Sequence, residues 1–231
     1  TSFYLAPADG GATPDYLPGQ YVSVRVYVPE LGLMQPRQYS LSEAPGMPGQ
    51  LRISVKREAG SPAGMVSGTL HNRINEGDVL DVSPPQGDFT LDAEDGRPVV
   101  LLSGGVGLTP MVSMLNHLTA RDDGRQIRFV HACREAGVHA MKEHINALAA
   151  KRPNVRKAVF YERVGADDRR GVDYDYEGRV DLHAIRDEVI LPDADYYLCG
   201  PLPFMQAQRR ALADLGVAEH RIHAEVFGTG G

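Results

Sequence analysis

Cysteine is scarce in this chain of 231 residues, which has Cys133 and Cys199 and no more. Two thiols exclude an iron–sulfur cluster held by four thiolates, a zinc site built on cysteine, and a disulfide framework. Each ends an apolar run, so each reads as a small buried residue of a reducing, cytoplasmic compartment. Positive charge is also short. The formal net charge is −6, from 24 Lys and Arg against 30 Asp and Glu, which argues against a nucleic-acid or anionic-membrane surface. No apolar run approaches the ~20 residues needed to span a bilayer, and no internal repeat, low-complexity stretch or signal-peptide pattern is visible. An initiator Met is missing too. The chain starts at Thr1 on the apolar scrap "SFYLAP", which resembles the second half of a hairpin and reads as part of the C-terminal piece of something longer.

What is present follows two different grammars. Up to about residue 92 the chain reads as short strands broken by turn chemistry: "GQYVSVRVYV", "RQYSLSE", "QLRISVKRE", "GDVLDVSPP" and "GDFTLD". Their alternation of apolar and polar residues, with Pro and Gly between runs, predicts an antiparallel β-barrel or sandwich interrupted by one short helix at "GMVSGTLHNRI". The polar stretch "DAEDGRP" marks the boundary. From residue 98 strands alternate with helices: "VVLLS", "IRFVHAC" and "DADYYLCG" each precede a helical run, which predicts a doubly wound parallel sheet. The charged, tyrosine-rich "ERVGADDRRGVDYDYEGRVD" reads as a surface loop over one edge of the site.

Glycines mark the joints where chemistry is expected. In "VVLLSGGVGLTPM" a buried strand runs through Gly104, Gly105 and Gly107 toward Thr109, read as a helix N-cap, and Pro110, read as its first residue. A strand, a glycine turn and a helix N-terminus make an anion site, because unpaired backbone N–H groups converge there. The spacing departs from G-x-G-x-x-G, since Pro110 stands where the third glycine belongs. In the barrel, "RQYS" offers Arg37 for a phosphate, Tyr39 as a flat ring and Ser40 as a hydroxyl, with Arg37 and Tyr39 on one strand face and Ser40 on the other. Taken singly, Arg37 reads more readily as a surface charge and Tyr39 as core edge. "GMVS" would start a short helix at Gly64 and Ser67, a second anion-binding terminus. The segment "VHACREAGVHAMKEH" invites a metal reading, but His139 and His144 are five apart and share no helix face, so no metal site is expected.

Taken together and in order, "RQYS", "GMVS", "GGVGLTPM", "CGPLPFM" and the terminal "EVFG" resemble the ferredoxin–NADP reductase superfamily, most closely the reductase part of flavohaemoglobins. The resemblance implies an FAD-binding β-barrel over residues 1–95, short of its first strand, and an NAD(P)H-binding α/β domain over 96–231. It further implies that Arg37 contacts FAD phosphate, with Gln38 beside it, that Tyr39 packs on the isoalloxazine, and that Ser40 bonds near flavin N5. Gly64, Met65, Val66 and Ser67 would bind the pyrophosphate, and Tyr21 would make a further flavin contact or pack the barrel. Gly104, Gly105, Gly107, Thr109 and Pro110 would receive the pyridine nucleotide, Cys199, Gly200 and Pro201 would border its nicotinamide, and Phe227 would lie against the flavin with Glu225 beside it. Tyr39, Ser40, Glu225 and Phe227 are thus the expected catalytic residues.

Hydride transfer between stacked rings with reacting atoms roughly 3 to 3.5 Å apart is a positioning problem, which accounts for glycines, rings and hydroxyls outnumbering carboxylates in these motifs. In the family the electrons go to haem in an N-terminal globin domain, where bound O2 oxidises nitric oxide to nitrate. That haem and globin have no counterpart here, so the chain would be the electron supply. Two other readings stand beside this one: a flavin reductase serving an oxygenase or ferric chelates, and a non-catalytic nucleotide-binding regulator. NADH is expected over NADPH. Arg134 and Glu135 stand side by side past the second strand of the nucleotide domain: Arg134 alone would suit a 2′-phosphate, Glu135 would repel one if it faces the ribose, and no second Lys or Arg appears before Lys142, so the resemblance to NADH-using flavohaemoglobins carries much of the choice.

Overall fold

The computed structural model describes residues 1–58, 64–92 and 95–227, and the chain divides into two units that meet in sequence between Leu91 and Asp92. In the first unit, valines at every second position of β2 (Tyr21–Val28) point inward while Ser23, Arg25 and Tyr27 do not, the pattern of a half-buried strand. β2 pairs antiparallel with β3 (Leu33–Ser40) on one side and with β5 (Asp81–Val82) on the other. β1 (Ser2–Leu5) pairs antiparallel with β4 (Leu51–Ser54), and a bridge from Leu41 to Ile53 links the two small sheets into a barrel. α1 (Met65–Arg73) adds Val66 and Leu70 to its core of Val22, Val24, Leu41 and Ile53. The expected strand at "GDFTLD" does not form. Pro84 and Pro85 bring no N–H donors to a ladder, and after them Gly87 turns the chain at φ +108°, so pairing stops at the bridge between Tyr21 and Gln86.

The second unit is a six-stranded parallel sheet. Its strands are β6 (Val99–Gly104), β7 (Ile127–Cys133), β8 (Val155–Tyr161), β9 (Tyr176–Glu177), β10 (Asp195–Gly200) and β11 (Ile222–Val226), in the order β11-β10-β6-β7-β8-β9. Between them run α2 (Leu108–Arg121), α3 (Lys142–Lys151), α4 (Arg186–Val189) and α5 (Leu202–Asp214). α5 covers one face through Met205 and Leu212, against Val100, Leu102, Val130 and Leu198, while α2 packs on β6 and β10. Strand order reverses between β6 and β10, which makes a crevice beyond their carboxyl ends. There a 3-10 turn over Gly105–Gly107 leads into α2, which starts at Leu108 rather than at Thr109. Thr109 is therefore no N-cap; it sits in the first turn and its hydroxyl donates to the Val106 carbonyl at 3.2 Å.

The segment expected as a surface loop is fastened to the sheet edge. Tyr176 stacks on Phe160 and Tyr174 on Tyr161, with centroids 4.8 and 5.5 Å apart. The Asp175 carboxylate accepts the Val159 N–H at 2.9 Å, and Asp173 accepts from Lys142 at 2.8 Å. These bonds let β9 join β8 as an edge strand.

A buried polar chain crosses the same region. Ser103 Oγ and His131 Nδ1 are 2.8 Å apart, the His131 and His139 rings lie 5.2 Å apart, and His139 Nδ1 is 2.8 Å from the Tyr161 hydroxyl. Burial holds the His131 imidazole down at about 3 and that of His139 at about 4, against an ordinary 6.5. Both rings stay neutral in the folded chain where the unfolded chain protonates them. Stability should be whole above pH 6.5 and fall as pH drops from there toward 4, by up to about 1.4 kcal/mol per pH unit for each ring. Urea unfolding followed by circular dichroism should show that slope, and His131→Gln should reduce it; an unchanged slope would remove the ring as its source. Packing gives a second expectation. A Cβ on Gly107 would run into the Cys199 carbonyl, so Gly107→Ala should cost about 1–3 kcal/mol in the same assay, whereas Gly137→Ala, whose Cβ meets nothing, should cost far less.

Candidate functional site

At the crevice of the second unit, two strand ends meet with almost no side chains between them. Gly107 rests on the Cys199 and Gly200 backbone, and the Phe227 N–H donates to the Gly200 carbonyl at 3.0 Å. Gly104 and Gly200 both lie under the Phe204 ring: a Cβ on either would come within 2.9 Å of it. These two glycines serve a ring of the protein itself. Phe204 escaped assignment from sequence although it stands inside "CGPLPFM", because nothing local says that its ring folds back over both strand ends. The exposed rim of the crevice is Gly105, at φ +55°, and Val106. No side chain caps the start of α2 and no acid stands in its first turn, which leaves an N-terminus suited to an anion. Pro110 is buried in that first turn, and Pro201 caps α5 with no side-chain bond.

Just below the crevice, register aligns Glu225, Cys199, Ser103 and His131 across four neighbouring strands. Cys199 is fully buried, and burial, with Glu225 next to it, pushes its thiol well above the ordinary value. Burial also raises the Glu225 carboxyl, whose Oε2 is buried without a hydrogen-bond partner among the described residues. An unsatisfied buried carboxyl oxygen is costly, so its place beside the crevice is consistent with a polar ligand there. At the far side, Arg134 and Glu135 follow the end of β7.

In the first unit the flavin candidates sit on β3 and α1. Arg37 and Tyr39 are half-buried on one face; Gln38 is exposed on the other. Burial raises the Tyr39 phenol to about 12, with Arg37 opposing. Arg37 Nη1 donates to the Pro36 carbonyl at 2.9 Å. Ser40, at the end of β3, is buried, 4% exposed. The Tyr21 ring packs on Gly87, the barrel role weighed for it. Gly64 precedes α1, whose first turn holds Met65, Val66 and Ser67 with no side-chain cap and no acid. Ser67 Oγ donates back to the Gly64 carbonyl at 3.1 Å, leaving the first N–H groups of the helix unclaimed by it. A helix start with no side-chain cap and no acid in its first turn, and Arg37 on the neighbouring strand, fit a ligand that carries phosphates.

Among the described residues no group of three His, Cys, Asp or Glu could hold a metal ion, and no helix is long and apolar enough to cross a membrane. Comparison with known proteins matches a family to each of the two units. Residues 8–91 match the oxidoreductase FAD-binding domain family and residues 101–210 the oxidoreductase NAD-binding domain family. The chain is 56% identical to a flavohemoprotein of Chromobacterium violaceum and 49% identical to one of Rhizobium meliloti, over 99% of its own length in each case. It spans 57% of the length of each of these relatives. Among solved structures it resembles the flavohem-like FAD/NAD binding domain of nitric oxide dioxygenase from Vibrio cholerae, with TM-score 0.87 and 41% identity over 98% of this chain and 92% of that one. It also resembles a flavohemoglobin of Malassezia yamatoensis with bound FAD and heme, with TM-score 0.78 and 27% identity over 98% of this chain and 56% of that one. The strand–glycine–helix crevice, the barrel with its uncapped helix and these relatives converge: the chain belongs to the flavohaemoglobin family as its NAD(P)H-dependent, FAD-binding oxidoreductase region.

Proposed function

We propose that this chain takes electrons from NADH through FAD and passes them to haem in an N-terminal globin domain, in support of nitric oxide oxidation in a reducing cytoplasm. One observation supports the reading most: a single chain carries two helix starts, α1 and α2, each following a glycine, with no side-chain cap and no acid in the first turn, as the phosphates of a dinucleotide require. FAD, when bound, supplies a ring that accepts two electrons together and releases them singly. Every other task belongs to side chains and backbone.

In this reading Arg37 and the first turn of α1, from Gly64 through Met65 and Val66 to Ser67, hold the FAD phosphates by charge and backbone N–H groups. Tyr39 presents a ring face and Ser40 its hydroxyl to the reacting end of the flavin, with Gln38 between Arg37 and Tyr39 on the strand and Tyr21 packing the barrel against Gly87. Gly105, Gly107, Thr109 and Pro110 form the turn that carries the nucleotide phosphates. Gly104, Cys199, Gly200 and Pro201 border the nicotinamide. Glu225 and Phe227 line the same end. Burial raises both the Cys199 thiol and the Glu225 carboxyl at that end.

NADH added anaerobically to the FAD-loaded chain should bleach its yellow colour in a stopped-flow cell, and faster than NADPH does. No bleaching by either nucleotide would refute the reading. Arg37→Ala should weaken FAD binding by about 10- to 100-fold, the loss of one hydrogen bond to a charged group. Ser40→Ala should leave FAD affinity unchanged and raise the barrier to flavin reduction by about 2 to 4 kcal/mol; equal reduction rates would take Ser40 out of the mechanism.

A further inference from the structure

We infer that the rim at the carboxyl ends of β7 and β8 selects a nucleotide with a free ribose 2′-hydroxyl because Glu135 holds the guanidinium of Arg163, which would otherwise join Arg134 in binding a 2′-phosphate. The inference rests on the NADH reading and names its cause. In a doubly wound sheet the adenine ribose lies past the second strand, where an acid favours the hydroxyl and an arginine the phosphate. Here that strand is β7, followed by Arg134 and Glu135.

Sequence puts one cation at this point; folding adds another. The Glu162 N–H donates to the Cys133 carbonyl at 3.1 Å and the Arg163 N–H to the Arg134 carbonyl at 2.8 Å. Backbone bonds thus hold Arg163 beside Arg134 whatever its side chain does. The Arg163 Nη2 meets Glu135 Oε2 at 3.0 Å, and the two side chains are 69% and 46% exposed. The exposed Arg134 side chain has no ion pair among the described residues. Neighbouring acids are otherwise engaged: Glu162 lies 3.7 Å from Arg179, and Asp168 accepts the Gly165 N–H at 2.7 Å.

Two guanidiniums side by side would suit a phosphate dianion, since each offers charge and a planar fork of donors. Glu135 cancels this by occupying the donors of Arg163 and by setting a negative charge where the phosphate would come. The pair is solvent-exposed and so contributes little to folding. Glu135 can therefore be changed without endangering the fold.

The test is calorimetric titration of the FAD-loaded chain with 2′,5′-ADP and with 5′-ADP, paired with stopped-flow reduction by NADPH and NADH. Wild type should bind 5′-ADP at least as tightly as 2′,5′-ADP. Glu135→Gln should tighten 2′,5′-ADP by about tenfold or more, with 5′-ADP changed less than about twofold, and the gain should shrink as salt rises. Adding Arg163→Gln to Glu135→Gln should abolish the gain, and the NADPH to NADH ratio of reduction rates should move in parallel. An unchanged ratio in Glu135→Gln, or a gain that survives Arg163→Gln, overturns the inference while leaving a wild-type preference for NADH standing. A wild type that already prefers 2′,5′-ADP and NADPH overturns both.

Discussion

The nucleotide-binding unit depends on one steric constraint, the contact of backbone against backbone where β6 and β10 part. Gly107 lies on the Cys199 carbonyl with no room for a Cβ, and Gly104 and Gly200 leave just enough space for the Phe204 ring above them. Because the two strand ends touch, the α2 N-terminus, the Cys199 thiol and the Phe227 backbone are all held at one crevice. Any side chain at Gly107 would wedge the strands apart and move the helix start away from the positions that can meet a nucleotide. Packing here is thus also the means of placing function.

Immediately beneath that contact the sheet carries polar groups where most parallel sheets are uniformly apolar. Ser103 satisfies His131, and His139 satisfies Tyr161. Glu225 keeps a carboxyl oxygen without a hydrogen-bond partner among the described residues. Burial disfavours charge on every member of the row, raising acids and lowering imidazoles. The result is a floor rich in hydrogen-bonding atoms whose burial works against charge on each titratable member.

The rim of the site is built from the chain's other ends. Stacked tyrosines and the Asp173 and Asp175 carboxylates fasten the charged excursion to β8, and the same strand end delivers Arg163 to Glu135. Charges that look like a solvated run in sequence are here assigned partners. Their pairing turns a surface with excess acid into a patterned edge.

Alternation of valines was enough to locate β2, and consecutive branched residues were enough for β6, because local burial imposes those periods on any sequence that forms them. Motif order was likewise enough to indicate a flavin unit followed by a nucleotide unit. Strand loss at "GDFTLD" was decided locally, by Pro84, Pro85 and the turn at Gly87, whereas helix start at Leu108 instead of Thr109 and an edge strand inside a charged loop were not legible, since each depends on partners remote in sequence: the Cys199 backbone and the face of Phe160. The same holds for the site. Glycines and hydroxyls at turns declare themselves, because their backbone roles are local. Phe204 over two glycines, Glu225 without a partner and Arg163 beside Glu135 exist only after strands distant in sequence align, because a side chain's neighbours and its charge state are set by register and burial, which the sequence of a single segment does not contain.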